Sequence, residues 1–404
     1  MMPGPARARS PAWRPRAMLA ALALGLAGQA AAAPRCTAVS WPEWSAFVTH
    51  FVQADGRVAD GSTPRQISTS EGQSYAMFFA LVANDRETFG RLWRWSVFNL
   101  ARGDAARHLP AWSWGRRDDG AWGVLDANSA SDADLWFVYA LLEAGRLWRQ
   151  PGYTRDALAL LAQVEAGEIA DLPGLGSMLL PAPQGFVQPG LWRLNPSYMP
   201  VPVLRRLAQA SPQGPWNAVA ANTLRVIQAT APKGYAADWV AYRGVPADAA
   251  PAAMVGHYEN DPVHGAKGSY DAIRTYLWAG MTPPGDPVAR PLLAALSGMA
   301  ASVAAEGVPP EAVDVDSGRA QGRGPFGFSA ALLPYFQARG QEDLLQGQLR
   351  RVRTEWAASR EAGSARQPPY YDYVLSLFGT GWFDQRYRFG NTGRVSLEWE
   401  KKCP

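Results

Sequence analysis

Twelve stretches of the chain space their apolar residues at helical period: 41–54, 71–84, 86–101, 132–149, 154–170, 197–210, 214–230, 269–281, 286–305, 327–338, 341–357 and 370–379. Some are apolar nearly all round, as in Tyr75-Ala76-Met77-Phe78-Phe79-Ala80-Leu81-Val82. A helix with no polar face is buried. Others, such as Gly340 to Trp356, keep charges on one side. Buried helices alternating with amphipathic ones predict two concentric layers, an all-α barrel of inner helices wrapped by outer ones. Few strands are expected. The long connections 102–131, 171–196, 232–268 and 307–326 are rich in Gly, Pro and aromatic residues, and loops of that length usually carry function. No fixed-length repeat and no linker-like break interrupts the pattern. The expectation is a single domain over 34–404, with working loops at one end of the barrel.

Composition adds an ordinary globular core. Of 404 residues, 48% are hydrophobic and 18% charged. A net charge of +4 without a dense Lys/Arg block gives no footing for nucleic acid. The 17 tryptophans are the departure. Indole faces suit either packing or the apolar faces of sugar rings, and the count alone leaves both open. Residues 1–33 combine Arg7, Arg9, Arg14 and Arg16 with the short apolar run Met18 to Gly28 and the small residues Ala31 to Ala33. That is the layout of a cleaved targeting segment. It predicts an exported protein, periplasmic or secreted. In an oxidising compartment Cys36 and Cys403, near the two ends of the mature chain, could pair; the alternative is two free thiols.

Three expected helix starts carry acids. Ser68-Thr69-Ser70-Glu71 reads as a capping box with Ser68 at the cap, and Ser70 to Gln73 offers a second register. Glu71 is therefore either a capping residue or an acid with a chemical task. A helix N-terminus favours a carboxylate and lowers its pKa, whereas a general acid needs the opposite shift. Burial or a second carboxylate would have to overcome the dipole. Asp126, Asp132 and Asp134 cluster where the next inner helix opens, after a loop holding Trp112, Trp114 and Trp122, with Ser129 or Ser131 as its cap. Asp271 opens a third such helix with Arg274 one turn on, either a surface ion pair or part of a site. Helix starts converging on one mouth of a barrel would bring carboxylates and aromatic faces together. Glycoside hydrolysis requires that combination, one acid protonating the leaving oxygen and one carboxylate activating water.

The segments STSEGQSYAM, SASDADLWFVYALLEAGRLW, NPSYMP and SYDAIRTYLW, with GLGSMLLP, TAPKGY, GRAQGRGPFGFSAA and YVLSLFGTGW, resemble glycoside hydrolase family eight over nearly the whole mature chain. The likeness is to its branch encoded beside bacterial cellulose synthases. Ala76 and Ala133 stand where members often carry Gly. The resemblance implies an (α/α)6 barrel and endo-β-1,4-glucanase activity with inversion at the anomeric carbon. It implies Glu71 as general acid, Asp271 as general base, and Asp132 as the residue binding the sugar beside the scissile bond. Tyr198 would place the water or that sugar, and Arg274 would contact substrate or hold Asp271. Trp114, Trp136, Trp192, Tyr370 and Tyr371 would be stacking platforms. It implies a β-1,4-glucan chain as partner, a place beside cellulose synthase and its export machinery, and no cofactor; a monomer is expected because an open groove must admit a polymer. An inverting pair is expected about 6.5–9.5 Å apart. The same scaffold could serve chitosan, mixed-linkage glucan or xylan, or bind glucan without cutting it.

Other signals carry less. His257, Glu259, Asp261 and His264 share a loop, but their spacing matches no zinc motif and no metal is expected. Gly322 to Gly327 lacks the preceding strand that a phosphate loop needs. Arg116-Arg117-Asp118-Asp119 reads as a solvated loop.

Overall fold

The computed structural model describes residues 1–4, 39–244, 256–361 and 369–401. The expected targeting segment falls almost wholly outside these, as do Cys36 and Cys403. The chain divides into two compact units, Met1–Cys36 and Thr37–Pro404, and every element named here belongs to the second.

The described residues form thirteen α-helices: α1 (Pro42–Phe51), α2 (Ser70–Val82), α3 (Arg86–Asn99), α4 (Ser131–Leu147), α5 (Pro151–Gly167), α6 (Val201–Ala210), α7 (Trp216–Thr230), α8 (Ala272–Met281), α9 (Ala289–Ala295), α10 (Gly298–Glu306), α11 (Phe326–Ala338), α12 (Glu342–Glu361) and α13 (Tyr370–Phe383). Burial sorts them. In α2 only Glu71 escapes full burial, and every residue of α8 is buried. By contrast α5 buries only Ala157, Leu160, Leu161 and Val164. Packing runs α2–α4–α6–α8–α11–α13. Phe378 of α13 closes the ring, its centroid 4.6 Å from Phe79 and 5.3 Å from Tyr75 of α2. Around these six inner helices lie α3, α5, α7, the pair α9–α10, α12 and α1. The result is an (α/α)6 barrel. All twelve expected helical stretches are present; 286–305 is two helices because the helix breaks between Ala295 and Gly298.

Two devices hold the ring. Backbones touch where glycine permits it: a Cβ at Gly280 would strike the backbone of Pro334 and Tyr335, and one at Gly379 the carbonyl of Ala330, so α11 lies directly against α8 and α13. Inside the wall, Glu143 of α4 is fully buried and takes Arg146 at 2.6 Å, Arg206 of α6 at 2.6 Å and the Val395 amide at 3.0 Å. Removing one partner from such a network strands a buried charge, at a cost of about 3–5 kcal/mol.

The expectation of few strands needs correcting. Among the described residues, the connections and the segment after α13 hold short strands in five antiparallel sheets, among them Ser68–Thr69 with Ser113–Arg116 and Trp122–Asp126, and a four-stranded sheet that includes Leu191–Leu194, Val240–Arg243 and His257–Asn260. Strands of two to five residues are too short to show a two-residue period against Gly- and Pro-rich surroundings. Arg116 to Asp119 spans the turn of one hairpin, with Asp118 paired to Arg65 at 2.6 Å.

Candidate active site

The N-terminal ends of α2, α8 and α13 meet at a cavity of about 310 Å³, lined among others by Asp60, Glu71, Tyr75, Tyr198, Tyr270, Asp271, Arg274, Tyr370 and Tyr371; the start of α4 lies behind its wall, where Asp132, 1% exposed, reaches Tyr75 and Arg274. The three acidic helix starts therefore converge, but the caps of α2 and α4 are not those the sequence suggested. The α2 cap is Thr69, whose hydroxyl accepts from the Gly72 amide at 3.0 Å; it is neither Ser68 nor Ser70. Ser68 belongs to a strand and Ser70 is the first helical residue. This shift in register frees Glu71 from a capping box and turns it to the cavity wall, with the Ser70 hydroxyl 3.3 Å from its Oε2. At α4 neither serine caps: the N-cap is Ala130 with no side-chain bond, and Ser129 donates to Glu168 at 2.5 Å instead. At α8 the cap comes from outside the helix, because Asp238 Oδ1 accepts from the amides of Ser269 at 2.7 Å and Ala272 at 2.8 Å.

Arg274 joins the acids. It is buried, so the alternative of a surface ion pair is excluded. Its Nη1 donates to Asp132 at 2.9 Å and to the Tyr75 hydroxyl at 3.0 Å, and its Nη2 to Asp271 at 2.6 Å and the Ser197 hydroxyl at 3.1 Å. Asp132 accepts further bonds from Tyr75 at 3.1 Å and from the Ala133 amide at 2.8 Å. Asp271 accepts from Trp239 Nε1 at 3.0 Å, and about a third of its side chain faces the open cavity. Tyr198 stands on the 3-10 turn Pro196–Tyr198 with the Arg274 guanidinium 5.5 Å from its ring centre.

Electrostatics separates the carboxyls. Burial, and then the neighbouring charge of Asp132, push Glu71 up to about 8. The backbone N–H of Glu71 itself, Arg274 and Ser70 pull the other way and lose. Glu71 is thus protonated at neutral pH despite its helix start. Burial also raises Asp132, against the opposing Arg274 and Tyr75. Two residues on, Asp134 faces Glu168 in the interior. Burial raises both above the carboxylate range, Glu168 to about 8; the Glu168 charge raises Asp134 further, whereas hydrogen bonds from Ser129 and Asp134 pull Glu168 back without overcoming burial. Asp126 stays apart, exposed and bonded to the Asn128 amide at 2.9 Å.

The aromatic expectations divide. Tyr370 and Tyr371 line the cavity, and Gly72 leaves room for the Tyr370 hydroxyl, which a Cβ there would strike. Trp136 cannot be a platform: it is 1% exposed, wedged among Tyr75, Phe78, Trp278 and Phe378 in the inner ring. Trp114 pairs with Ser68, so it sits on the sheet face opposite Thr69, which lines the cavity. Trp192 lies beside Tyr242 and points to the other side of its strand from Arg193, whose guanidinium is 5.4 Å from the Trp239 ring. Trp239 is the residue that sequence reading missed. It stacks on Phe186 at 5.5 Å and 6° while reaching Asp271. In the loop once considered for metal, Asp261 is taken by Arg193 at 2.7 Å and Glu259 by Arg243 at 2.7 Å.

Comparison with known proteins gives this geometry its context. The model of "Glycosyl hydrolases family 8" matches residues 15–385. The chain belongs to glycosyl hydrolase family 8. It is 50% identical over 382 residues to an endoglucanase of Xanthomonas axonopodis pv. citri (strain 306), covering 94% of this chain and 95% of that one. It is 42% identical over 372 residues to an endoglucanase of Escherichia coli (strain K12), covering 91% and 93%. The crystal structure of an endo-1,4-D-glucanase from Vibrio fischeri ES114 superposes with a TM-score of 0.78 at 37% identity, over 89% of this chain and all of that one. A family 8 chain is thus a glycoside hydrolase, and the barrel, the convergent helix starts and the acid-lined cavity are the parts on which such hydrolysis would run.

Proposed function

We propose that this family 8 hydrolase is an inverting endo-β-1,4-glucanase in which Glu71 is the general acid and Asp271 the general base. The observation that carries this reading is the Glu71 carboxyl, kept protonated to about pH 8 by burial and Asp132, in one cavity with Asp271. Glu71 gives its proton to the glycosidic oxygen as the bond to the anomeric carbon breaks. A water on the opposite face of the sugar forms the new bond and loses its proton to Asp271, leaving an α-configured reducing end. Trp239 and Arg274 fix the direction of Asp271, so that its remaining lone pairs are available to that water. Asp132, buried behind Tyr75 and Arg274, acts on the subsite beside the scissile bond through those two residues and through its charge on Glu71. Tyr198 closes the same subsite, and Tyr370 and Tyr371 supply aromatic walls. The substrate is a cellulose-type β-glucan, as the names of the relatives suggest. Export to the periplasm or beyond, followed by trimming of a glucan during cellulose synthesis, fits the expected targeting segment and the branch resemblance.

The test is a substrate panel. Cellopentaose, xylopentaose and chitosan pentamer are incubated with the protein and the products separated. Cellopentaose should be cut internally, with the other two at least about a hundred-fold slower. Preferred cleavage of xylose or glucosamine oligomers would assign the barrel to another glycan.

A further inference from the structure

Three aromatic side chains are exposed among the described residues: Tyr270, Phe98 and Trp122. Tyr270 lines the catalytic cavity. Phe98 and Trp122, 78% and 45% exposed, meet elsewhere, across a concavity of about 670 Å³. Phe98 stands in the last turn of α3, and Trp122 begins the strand beside Ser113–Arg116. The walls between them are Trp95 and Trp114 with the polar side chains of Gln53, Gln66, Arg94 and Asn99. We infer that this concavity is a second binding site for a β-1,4-glucan chain, outside the catalytic cavity.

The indole rings are fixed before any ligand arrives. Trp122 lies over Trp114 at 5.5 Å and 15°, and Trp95 meets Trp114 edge-on at 5.3 Å. The Arg57 guanidinium sits 4.6 and 4.5 Å from the Trp114 and Trp122 centroids. Arg57 is in turn anchored by its Nε to the Ser68 hydroxyl at 2.7 Å and by its Nη2 to the Gln66 carbonyl. Rings immobilised in advance lose little entropy on binding. Exposed aromatic surface rimmed by polar groups marks an interaction site rather than a packing remnant. A β-1,4-linked glucose unit presents C–H bonds on its ring faces and hydroxyls around its edge. Flat indole and phenyl faces bordered by amides and guanidinium groups complement both. The site is also placed for a polymer. It occupies one face of the two-residue strand Ser68–Thr69 whose other face, through Thr69, borders the catalytic cavity and leads directly into Glu71. The site would hold the chain against the enzyme while the cavity cuts it.

This inference rests on the glucanase reading, which hydrolysis of cellopentaose checks separately. The full-length protein and its Phe98→Ala/Trp122→Ala variant are compared in two assays, binding to amorphous cellulose by pull-down and kcat/KM on cellopentaose. The variant should bind cellulose about ten-fold more weakly, about 1.4 kcal/mol, with cellopentaose turnover within about two-fold of the parent. A Phe98→Tyr/Trp122→Tyr variant, which keeps flat rings, should restore most of the binding, and unchanged thermal midpoints would show that both variants are folded. Unaltered cellulose binding in the alanine variant would overturn the inference. So would an equal loss on cellopentaose, which would make these residues part of the catalytic cleft.

Discussion

At the wall of the catalytic cavity, the decisive residue is Glu71, and the decisive quantity is which influence on its carboxyl prevails. The first-turn amides of α2 favour the anion, but burial and the Asp132 charge outweigh them and raise the group to about 8. An acid that must be protonated to work loses activity as the pH climbs through its pKa. The kcat/KM profile on cellopentaose should therefore show an alkaline limb with an apparent pKa near 8, and Asp132→Asn should move that limb downward by removing the repelling charge. A limb that stays in place in Asp132→Asn would show that another group sets it. The carboxylates of this site were legible in the sequence because each opens an apolar helix after small polar residues. Trp239 was not: it lies in a loop with no period, and only the fold brings its N–H to Asp271. Trp136 misled for the converse reason, since an indole near a catalytic motif looks the same in sequence whether its faces are free or packed.

At the scale of elements, the helices were legible to within about four residues at their ends, because inner helices are apolar all round and outer ones are not. Their caps were not legible. Ser68, Thr69 and Ser70 are chemically equivalent candidates, and the pairing of Ser68 and Thr69 with Trp114 and Ser113 decides which one begins the helix. A one-residue shift separates a capping glutamate from one that faces the cavity. The inner ring also depends on glycines that sequence marks only as weak helix formers. Gly379 of α13 lies against the Ala330 carbonyl of α11, where a methyl group has no room. Gly379→Ala should lower stability by about 1–3 kcal/mol in urea unfolding, although alanine is the better helix former. A stabilised variant would mean that α11 and α13 are not in backbone contact.

For the whole molecule, the same burial that equips the site also ties stability to pH. Glu168, buried beside Asp134, is raised from its ordinary 4.5 to about 8. The folded state then binds a proton that the unfolded chain releases. This contribution is complete below about pH 4.5 and is lost as the pH rises to about 8. Glu168→Gln, with no proton to lose, should surrender less stability between pH 5 and pH 8 than the parent, measured by urea unfolding at both values; equal losses would show that another group carries this dependence. The barrel as a whole brings the starts of inner helices to one cavity, and the central claim is that two acids of that cavity, Glu71 and Asp271, divide the work of a single displacement. Proton NMR of cellopentaose hydrolysis tests this most directly, following the anomeric signals of the first products for the parent and for Glu71→Gln. The account predicts that α-anomer appears first and that the variant releases no product. Initial β-anomer, or cleavage that survives in Glu71→Gln, would contradict it.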